Sequence, residues 1–233
     1  MNMKRKAEIN TNHCEFCERD FIREGSFLKH ICETKRRYLD QDYQGNRIGF
    51  QVWLDFFKKN SHSKKPKTYI DFAKNAYYTA FVKFGNYCVD ANVLNIKRFS
   101  DYLIKNKISV DSWASDKHYT NFLIQYLRDE DPLDAIARSI ETTIELSKED
   151  KIQTKDCLRY GNKYKICYSI TTGKISPWML YQSDSGLTFL QSLDQTQLKM
   201  IFDYIDPQKW NIKFRRDQEI LSQVKELLTA GGY

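Results

Sequence analysis

The feature that most constrains this sequence is a group of metal-ligating residues between positions 14 and 32. Cys14 and Cys17 have the spacing of a turn that points both thiolates at one metal ion. His30 follows after twelve intervening residues, and Cys32 lies two positions beyond it. A segment this short cannot bury enough apolar surface to fold alone, so a metal must supply the missing free energy, about 10–16 kcal/mol in finger peptides. We therefore predict one structural Zn²⁺ bound by Cys14, Cys17, His30 and Cys32.

The fourth ligand has two candidates, Cys32 and His13, and the sequence favours Cys32. On a continuous helix, an offset of two residues from His30 would point Cys32 away from the metal. We therefore expect the helix to end at His30 and the chain to turn back. A redox-active Cys-x-x-Cys would need a preceding strand in a βαβ context, which the sequence does not provide.

This segment resembles the zinc-finger family that has two cysteine and two histidine ligands. The pattern C-x2-C-x3-F-x5-F-x2-H places Phe21 and Phe27 where that family keeps its core apolar residues, which implies a small ββα unit. The family places its fourth ligand three to five residues beyond the histidine, where this chain has Thr34, Lys35 and Arg36. In the family, bases are read from just before the helix and from its third and sixth residues. Aligned through the shared positions, these residues are Arg23, Ser26 and Lys29.

Positive charge is concentrated in the first third of the chain. Residues 1–68 hold 15 Lys or Arg and 9 Asp or Glu, which gives +6 of the total formal charge of +7. A basic segment of this kind is typical of a surface that faces a polyanion, and DNA is favoured over RNA. The predicted nucleic-acid contacts are Arg23, Ser26, Lys29, Lys35, Arg36, Arg37, Lys64, Lys65 and Lys67. A finger that is purely architectural, or that binds protein, is the alternative.

The rest of the chain predicts a mainly α fold, formed as one all-helical domain or as two helical subdomains. Nine glycines and four prolines are too few for a sandwich or barrel with many tight turns. The alternation of Tyr164, Ile166, Tyr168 and Ile170 leaves residues 158–175 open to a hairpin, although a helix is favoured. The predicted organisation is disorder over 1–12, the zinc finger over 13–37, a basic linker and first helix over 38–67, a helical domain over 68–150 and a C-terminal helical subdomain over 151–233.

Within this organisation, residues 38–46 are predicted as the linker, and residues 68–87 as one helix with Thr68 as its N-cap. Asp131-Pro132 and Ser176-Pro177 each combine a capping residue with proline at the first helical position, and Asp206-Pro207 ends one element or begins the next. Among the carboxylates of residues 129–134, Asp131 is interpreted as a cap and Asp134 as compensation of the helix dipole.

Motifs for enzymatic chemistry are missing from the sequence. It has no phosphate-binding G-x4-G-K-[ST], no G-x-G-x-x-G and no G-x-S-x-G nucleophile elbow. The pair Asp116 and His118 at a predicted helix start is interpreted as capping. We therefore predict a protein that is not an enzyme. No apolar run approaches a membrane span and no secretory signal is present, so we expect an intracellular protein with reduced thiols and no membrane partner.

A second resemblance concerns the whole chain. The cysteine–histidine pattern, followed by Lys35-Arg36-Arg37 and by Phe-Val-Lys-Phe-Gly at 81–85, is similar to zinc-finger proteins of T4-like tailed bacteriophages. Residues 69–228 are also similar to the helicase-loading protein of these phages, and the matching segments are Phe99, Leu103-Ile104, 113–116, 173–176 and 210–213.

This resemblance implies a two-part helical accessory protein of phage replication or recombination. Such a protein would prefer forked, single-stranded or branched DNA, and it would contact a hexameric helicase and a single-strand-binding protein. If the protein is encoded by a phage, its location would be the host cytoplasm. The alternative function is a phage regulator of transcription or host takeover that acts by protein contact, with the finger as a structural peg.

Overall fold

The computed structural model describes residues 12–60 and 65–233 and shows a mainly α protein, as the sequence predicted. The predicted disorder of residues 1–12 concerns a segment that lies, apart from position 12, outside the described residues. A small antiparallel sheet pairs β1 (Asn12–His13) with β2 (Asp20–Phe21). The first helices are α1 (Glu24–Leu28), α2 (Glu33–Leu39), α3 (Gln44–Asn60), α4 (Tyr69–Ala73), α5 (Tyr78–Asp90) and α6 (Ile96–Lys105).

The later part of the chain is helical throughout, with short connections. Its α-helices are α7 (Asp116–Asp129), α8 (Pro132–Asp150), α9 (Cys157–Tyr160), α10 (Lys163–Thr171), α11 (Pro177–Gln182), α12 (Asp184–Gln191), α13 (Gln195–Ile205), α14 (Pro207–Arg216) and α15 (Gln218–Ala230). Short 3₁₀ turns occur at Asp40–Asp42, Val110–Ser112 and Thr154–Asp156.

The chain forms two compact units, and each of them is built from two separate stretches of the sequence. The first unit contains the described residues up to Ala91 together with Leu103–Ala114, and the second contains Asn92–Tyr102 and Ser115–Tyr233. The boundary predicted at residue 150 falls inside the second unit, because α8 packs against α9, α11 and α15, which follow that position.

The first unit is built on a close pair of helices, α3 and α5. A Cβ added to Gly85 would lie 1.9 Å from the carbonyl oxygen of Gly45, so the two backbones touch where neither residue has a side chain. Residues 38–46 were predicted as a linker, and this prediction is wrong. Helix α2 continues to Leu39, a 3₁₀ turn follows, and α3 begins at Gln44. Gly45 therefore lies within a helix and contacts α5, and it does not belong to a flexible connection.

The aromatic stripe of residues 68–87 forms two helices and not one continuous helix. Thr68 caps α4 as predicted, and it shares a reciprocal capping box with Asp71. Helix α4 then ends at Ala73, and α5 begins at Tyr78. The side chain of Asn75 accepts a hydrogen bond from the Tyr77 N–H at 2.8 Å, so a local side-chain bond replaces the helical hydrogen bond at this break.

The second unit follows the helix starts that the sequence predicted. Asp131, Ser176 and Asp206 each accept backbone N–H bonds at the first turn of a helix that opens with proline. The segment from 158 to 175 is helical, with α9 and α10 separated by Gly161 and Asn162, so the helical prediction is confirmed. The large side chains that are completely buried in this unit include Phe99, Leu123, Leu127, Ile136, Trp178, Phe189 and Trp210.

Candidate metal centre

The four predicted ligands come together at one place. Cys14 follows β1, Cys17 closes the turn after it, His30 follows α1, and Cys32 stands at the N-cap of α2. Their ligand atoms all lie within 4.8 Å of one another, and the Cys17 sulfur is 3.2 Å from Nε2 of His30. This group could hold a metal ion. Three sulfurs and one imidazole nitrogen are the donor set of a closed, four-coordinate structural site.

Cys32 can reach the site because the finger helix is short. Helix α1 ends at Leu28, and the His30 N–H bonds back to the Phe27 carbonyl at 3.0 Å. The chain then reverses, and the Cys32 sulfur accepts the Lys35 N–H at 3.4 Å as the N-cap of α2. The predicted turn after the histidine is therefore present. His13, the alternative ligand, lies outside the group, and its Nδ1 is 2.8 Å from a carboxylate oxygen of Asp20.

The local electrostatics separate the two cysteines of the Cys-x-x-Cys turn. Burial by itself would raise the pKa of Cys14, but hydrogen bonds from the backbone of Cys17 and Phe16 hold that pKa below its ordinary value. Cys17 lies at the surface, and its pKa is raised by desolvation and by the sulfurs of Cys14 and Cys32. Thiolates are the form that binds a metal, so the cation must offset the mutual repulsion of these three sulfurs.

Aromatic packing supports the ligands from one side. The Phe21 ring lies 6.0 Å from the Phe27 ring and 4.6 Å from the His30 imidazole, measured between centroids. These are the two aromatic positions that the finger pattern predicted. Because Phe21 contacts the ligand histidine directly, it fixes the orientation of the imidazole.

Side-chain contacts between described residues attach the finger to the rest of the first unit. The Phe16 ring packs against Tyr38 of α2 with centroids 5.2 Å apart. The Lys74 ammonium, just after α4, bonds to the Glu18 carboxylate at 2.9 Å, and this bond lowers the pKa of Glu18 and raises that of Lys74. The sequence gives no sign of this ion pair, since the two residues are 56 positions apart and no local pattern connects them.

The predicted nucleic-acid contacts differ in how exposed they are. Arg23, Ser26 and Lys29 are exposed on the finger, and Arg36 is exposed on α2. Lys65 is also exposed at the surface, and Lys64 lies outside the described residues. The Arg23 side chain makes no capping hydrogen bond, although the residue stands at the N-cap of α1.

Arg37 and two lysines of the predicted set have partners inside the first unit. The Arg37 guanidinium donates to the Ala73 carbonyl at 3.0 Å, pairs with Glu33 and lies 4.6 Å from the centre of the Tyr78 ring. The Lys35 ammonium is 3.4 Å from the His30 carbonyl oxygen. The Lys67 ammonium lies 4.8 Å from the centre of the Phe57 ring. Arg37 therefore has a role in packing whether or not it also meets phosphate.

Two further properties of the chain are the hydropathy of its helices and its similarity to known proteins. Among the described helices, none is both long enough and apolar enough to cross a bilayer. No protein-family model matches the sequence, and no match was found among curated proteins or among solved structures.

Proposed function

We propose that this protein is a non-enzymatic accessory factor that binds DNA through a finger held by one structural Zn²⁺. The observation that carries the proposal is the convergence of Cys14, Cys17, His30 and Cys32, whose ligand atoms lie within 4.8 Å of one another, in a segment that also exposes basic side chains. Zinc is the metal that best suits three thiolates and one imidazole, since it favours tetrahedral sulfur and nitrogen ligands. Four protein ligands leave no open position for a catalytic water.

The exposed cations of the finger support weak, non-specific contact with DNA. Arg23 is the one residue of the Arg23, Ser26 and Lys29 set with the planar fork that grips guanine through two hydrogen bonds. One such contact gives about 1–3 kcal/mol of discrimination, whereas specific operators need about 4–10 kcal/mol over non-specific sites. We therefore propose that Arg23 and Lys29 act mainly on phosphates and that DNA structure matters more than its sequence.

The biological setting is proposed from the resemblance to proteins of T4-like phages. It favours replication or recombination, with forked, single-stranded or branched DNA as the substrate and a helicase or another replication protein as the partner. The intracellular location and the preference for DNA over RNA belong to the same proposal.

A second candidate function, regulation by protein contact, is favoured by one specific feature. Ile22, Leu28 and Ile31 project from the finger with 79%, 69% and 66% of their surface exposed. Side chains of this kind around a small rigid module suit a protein partner. In this alternative the protein would be a phage regulator of transcription or host takeover.

The decisive experiment measures metal content and DNA affinity in the same variants. His30→Ala should lose zinc and weaken duplex binding, whereas the matched control His13→Ala should keep both. Tighter binding to a fork than to a linear duplex of equal length would support the accessory role. Zinc loss without any change in DNA affinity would refute DNA binding by the finger. Co-purification with RNA polymerase, abolished by Ile22→Ser and Leu28→Ser, would favour the regulator.

A further inference from the structure

A second surface with nucleic-acid chemistry lies far along the chain from the finger. Residues 151–174 contain six Lys or Arg and one Asp. The same stretch exposes Tyr160, Tyr164 and Tyr168, with 73%, 58% and 63% of their surface open to solvent. We call these three residues the tyrosine face. In the sequence, Tyr164 and Tyr168 belong to an alternating pattern with Ile166 and Ile170, and they are also four residues apart.

Helical geometry places the last two tyrosines on one side of α10. Tyr164 and Tyr168 are four residues apart, so they lie on the same face and about 6 Å apart along the axis. The opposite face of α10 is buried through Ile166 and Ile170. Tyr160 is the last residue of α9, which precedes α10. The rise between the two α10 rings is close to two base steps of about 3.4 Å, so each ring has room for one base.

Most of the surface of each residue in the tyrosine face is open to solvent. No hydrogen bond of the three hydroxyl groups and no contact of the three rings with another aromatic ring occurs within the described residues. Tyr119 of the same unit differs, since it is buried, its hydroxyl oxygen accepts the Leu94 N–H at 3.1 Å, and its ring packs on Phe99. The exposed part of each of the three rings is therefore available to a ligand.

Two cations next to these tyrosines in the chain have no acidic ion-pair partner among the described residues. Arg159 is exposed next to Tyr160. The Lys163 ammonium, next to Tyr164, donates to the carbonyl oxygen of Ser192 at 2.6 Å, a neutral partner. Lys165 is different, because Glu149 and Asp150 pair with it at 3.0 and 2.9 Å. Glu149 and Asp150 therefore offset the charge of Lys165, whereas Arg159 and Lys163 leave positive charge next to the tyrosine face.

From these observations we propose that the tyrosine face binds single-stranded DNA, with bases stacked on Tyr164 and Tyr168 and phosphates beside Arg159 and Lys163. Aromatic platforms bordered by cations are the usual means of binding single strands without sequence preference. A duplex hides its base faces and could not use the rings. A protein partner would gain from the rings but would have no need for the surrounding positive charge.

This site lies in the second unit and does not rest on the proposed function of the finger. Removal of the metal should leave single-strand binding by the tyrosine face intact. Failure of the finger to bind duplex DNA and failure of the tyrosine face to bind single strands are therefore separate results.

The test uses the full chain and a fluorescent thymidine oligonucleotide of about 16 residues, the upper site size of a single binding module. The double variant Tyr164→Ala/Tyr168→Ala should raise the Kd by about 25-fold, since each lost stack is worth at least about fivefold. The matched pair Tyr164→Phe/Tyr168→Phe keeps both rings and should bind like the unmodified protein. Tyr77→Ala removes an exposed tyrosine of the first unit and should leave the Kd unchanged.

Three results would overturn the assignment. The first is a rise in Kd below about fivefold for the double alanine variant, which is less than one stack is worth. The second is an equal loss of affinity in the phenylalanine pair. The third is unchanged oligonucleotide binding together with loss of self-association in sedimentation, which would give the tyrosine face to a second copy of the chain.

Discussion

The finger and the second unit are stabilised in opposite ways. Within residues 12–32, Cys14 is the one buried residue, and nearly every other side chain reaches solvent. In the second unit, Ile136, Trp178 and Trp210 are at most 1% exposed. The finger has almost no apolar interior, so we expect its stability to come from a bound metal. The second unit gains its stability by removing large apolar side chains from water.

This difference has a functional consequence. A module held together by a metal can expose nearly all of its side chains to a partner, because few of them are needed for packing. In a unit stabilised by a buried core, the residues that bind a partner must lie on the outer faces of the helices, as we propose for the tyrosine face. Disturbing each source of stability in turn should therefore affect one region and spare the other.

The largest expected effect comes from metal removal. A chelator should unfold residues 14–32, since the metal supplies about 10–16 kcal/mol in comparable fingers. Amide hydrogen exchange should show loss of protection there, while α8 and α11 stay protected. If residues 14–32 kept their protection after the metal was gone, the contrast drawn here would be wrong.

A core substitution in the second unit should have the next largest effect. Trp210 is 1% exposed, packs on Trp178 and Phe214 and donates its Nε1 hydrogen to the Tyr204 carbonyl at 2.7 Å. Trp210→Ala should lower the free energy of unfolding of this unit by about 3–5 kcal/mol, measured with urea. The zinc content should not change. The control Leu227→Ala, at a residue 42% exposed, should cost far less.

A smaller, pH-dependent effect is expected at Asp150. Its carboxylate accepts the Asn162 N–H and the Lys165 ammonium, each at 2.9 Å, and these bonds hold the pKa of Asp150 below its ordinary value. The stabilisation is therefore complete at neutral pH and is lost as the pH falls through that lowered pKa.

Asp150→Asn should cost about 1 kcal/mol at neutral pH, and the difference from the unmodified protein should shrink in acid. Urea unfolding between about pH 7 and pH 3 would measure it, across the ordinary range for Asp. Glu226→Gln, at an exposed carboxylate of α15, is the control. A difference that grew in acid would contradict the prediction.

The smallest effect on stability is expected on the exposed surface of the finger. The double variant Arg23→Ala/Lys29→Ala should change the free energy of unfolding by no more than about 0.5 kcal/mol. Its affinity for duplex DNA should fall by a similar factor for all sequences, and the slope of log K against log salt should lose about two units. A selection from random duplexes that returned one long motif would instead indicate specific readout.

Much of the local structure could be predicted from the sequence. The cap-and-proline pairs at Asp131 and Ser176 marked true helix starts, because capping depends on residues within one turn. The spacing of the Cys and His residues likewise identified the group that could hold a metal, because all four residues lie in one short segment of the chain. The linker predicted over 38–46 failed, because Gly45 looks like a flexible position in sequence but is fixed by its contact with Gly85, forty residues away.

The sequence predicted the capping role of Asp131 but not the ion pair of its neighbour Glu130. The carboxylates of residues 129–134 suggested capping, and Asp131 does cap α8. Glu130, in contrast, is buried and bonds to both terminal nitrogens of Arg138 at 2.7 and 2.8 Å. Burial raises the pKa of Glu130, and Arg138 opposes that rise. Sequence patterns do not report burial of a single carboxylate, so they could not distinguish it from its exposed neighbours.

The sequence by itself determined the mainly helical composition, the capped helix starts at Asp131 and Ser176, and the four Cys and His residues that could hold a metal, since each depends on residues close together in the chain. The tertiary structure alone decided that Lys74 would hold Glu18, that Arg37 would bond to Ala73 rather than remain free, and that the backbones of α3 and α5 would touch. These outcomes depend on which surfaces are buried against one another. Burial is shared by the whole fold, and no short segment of the sequence encodes it.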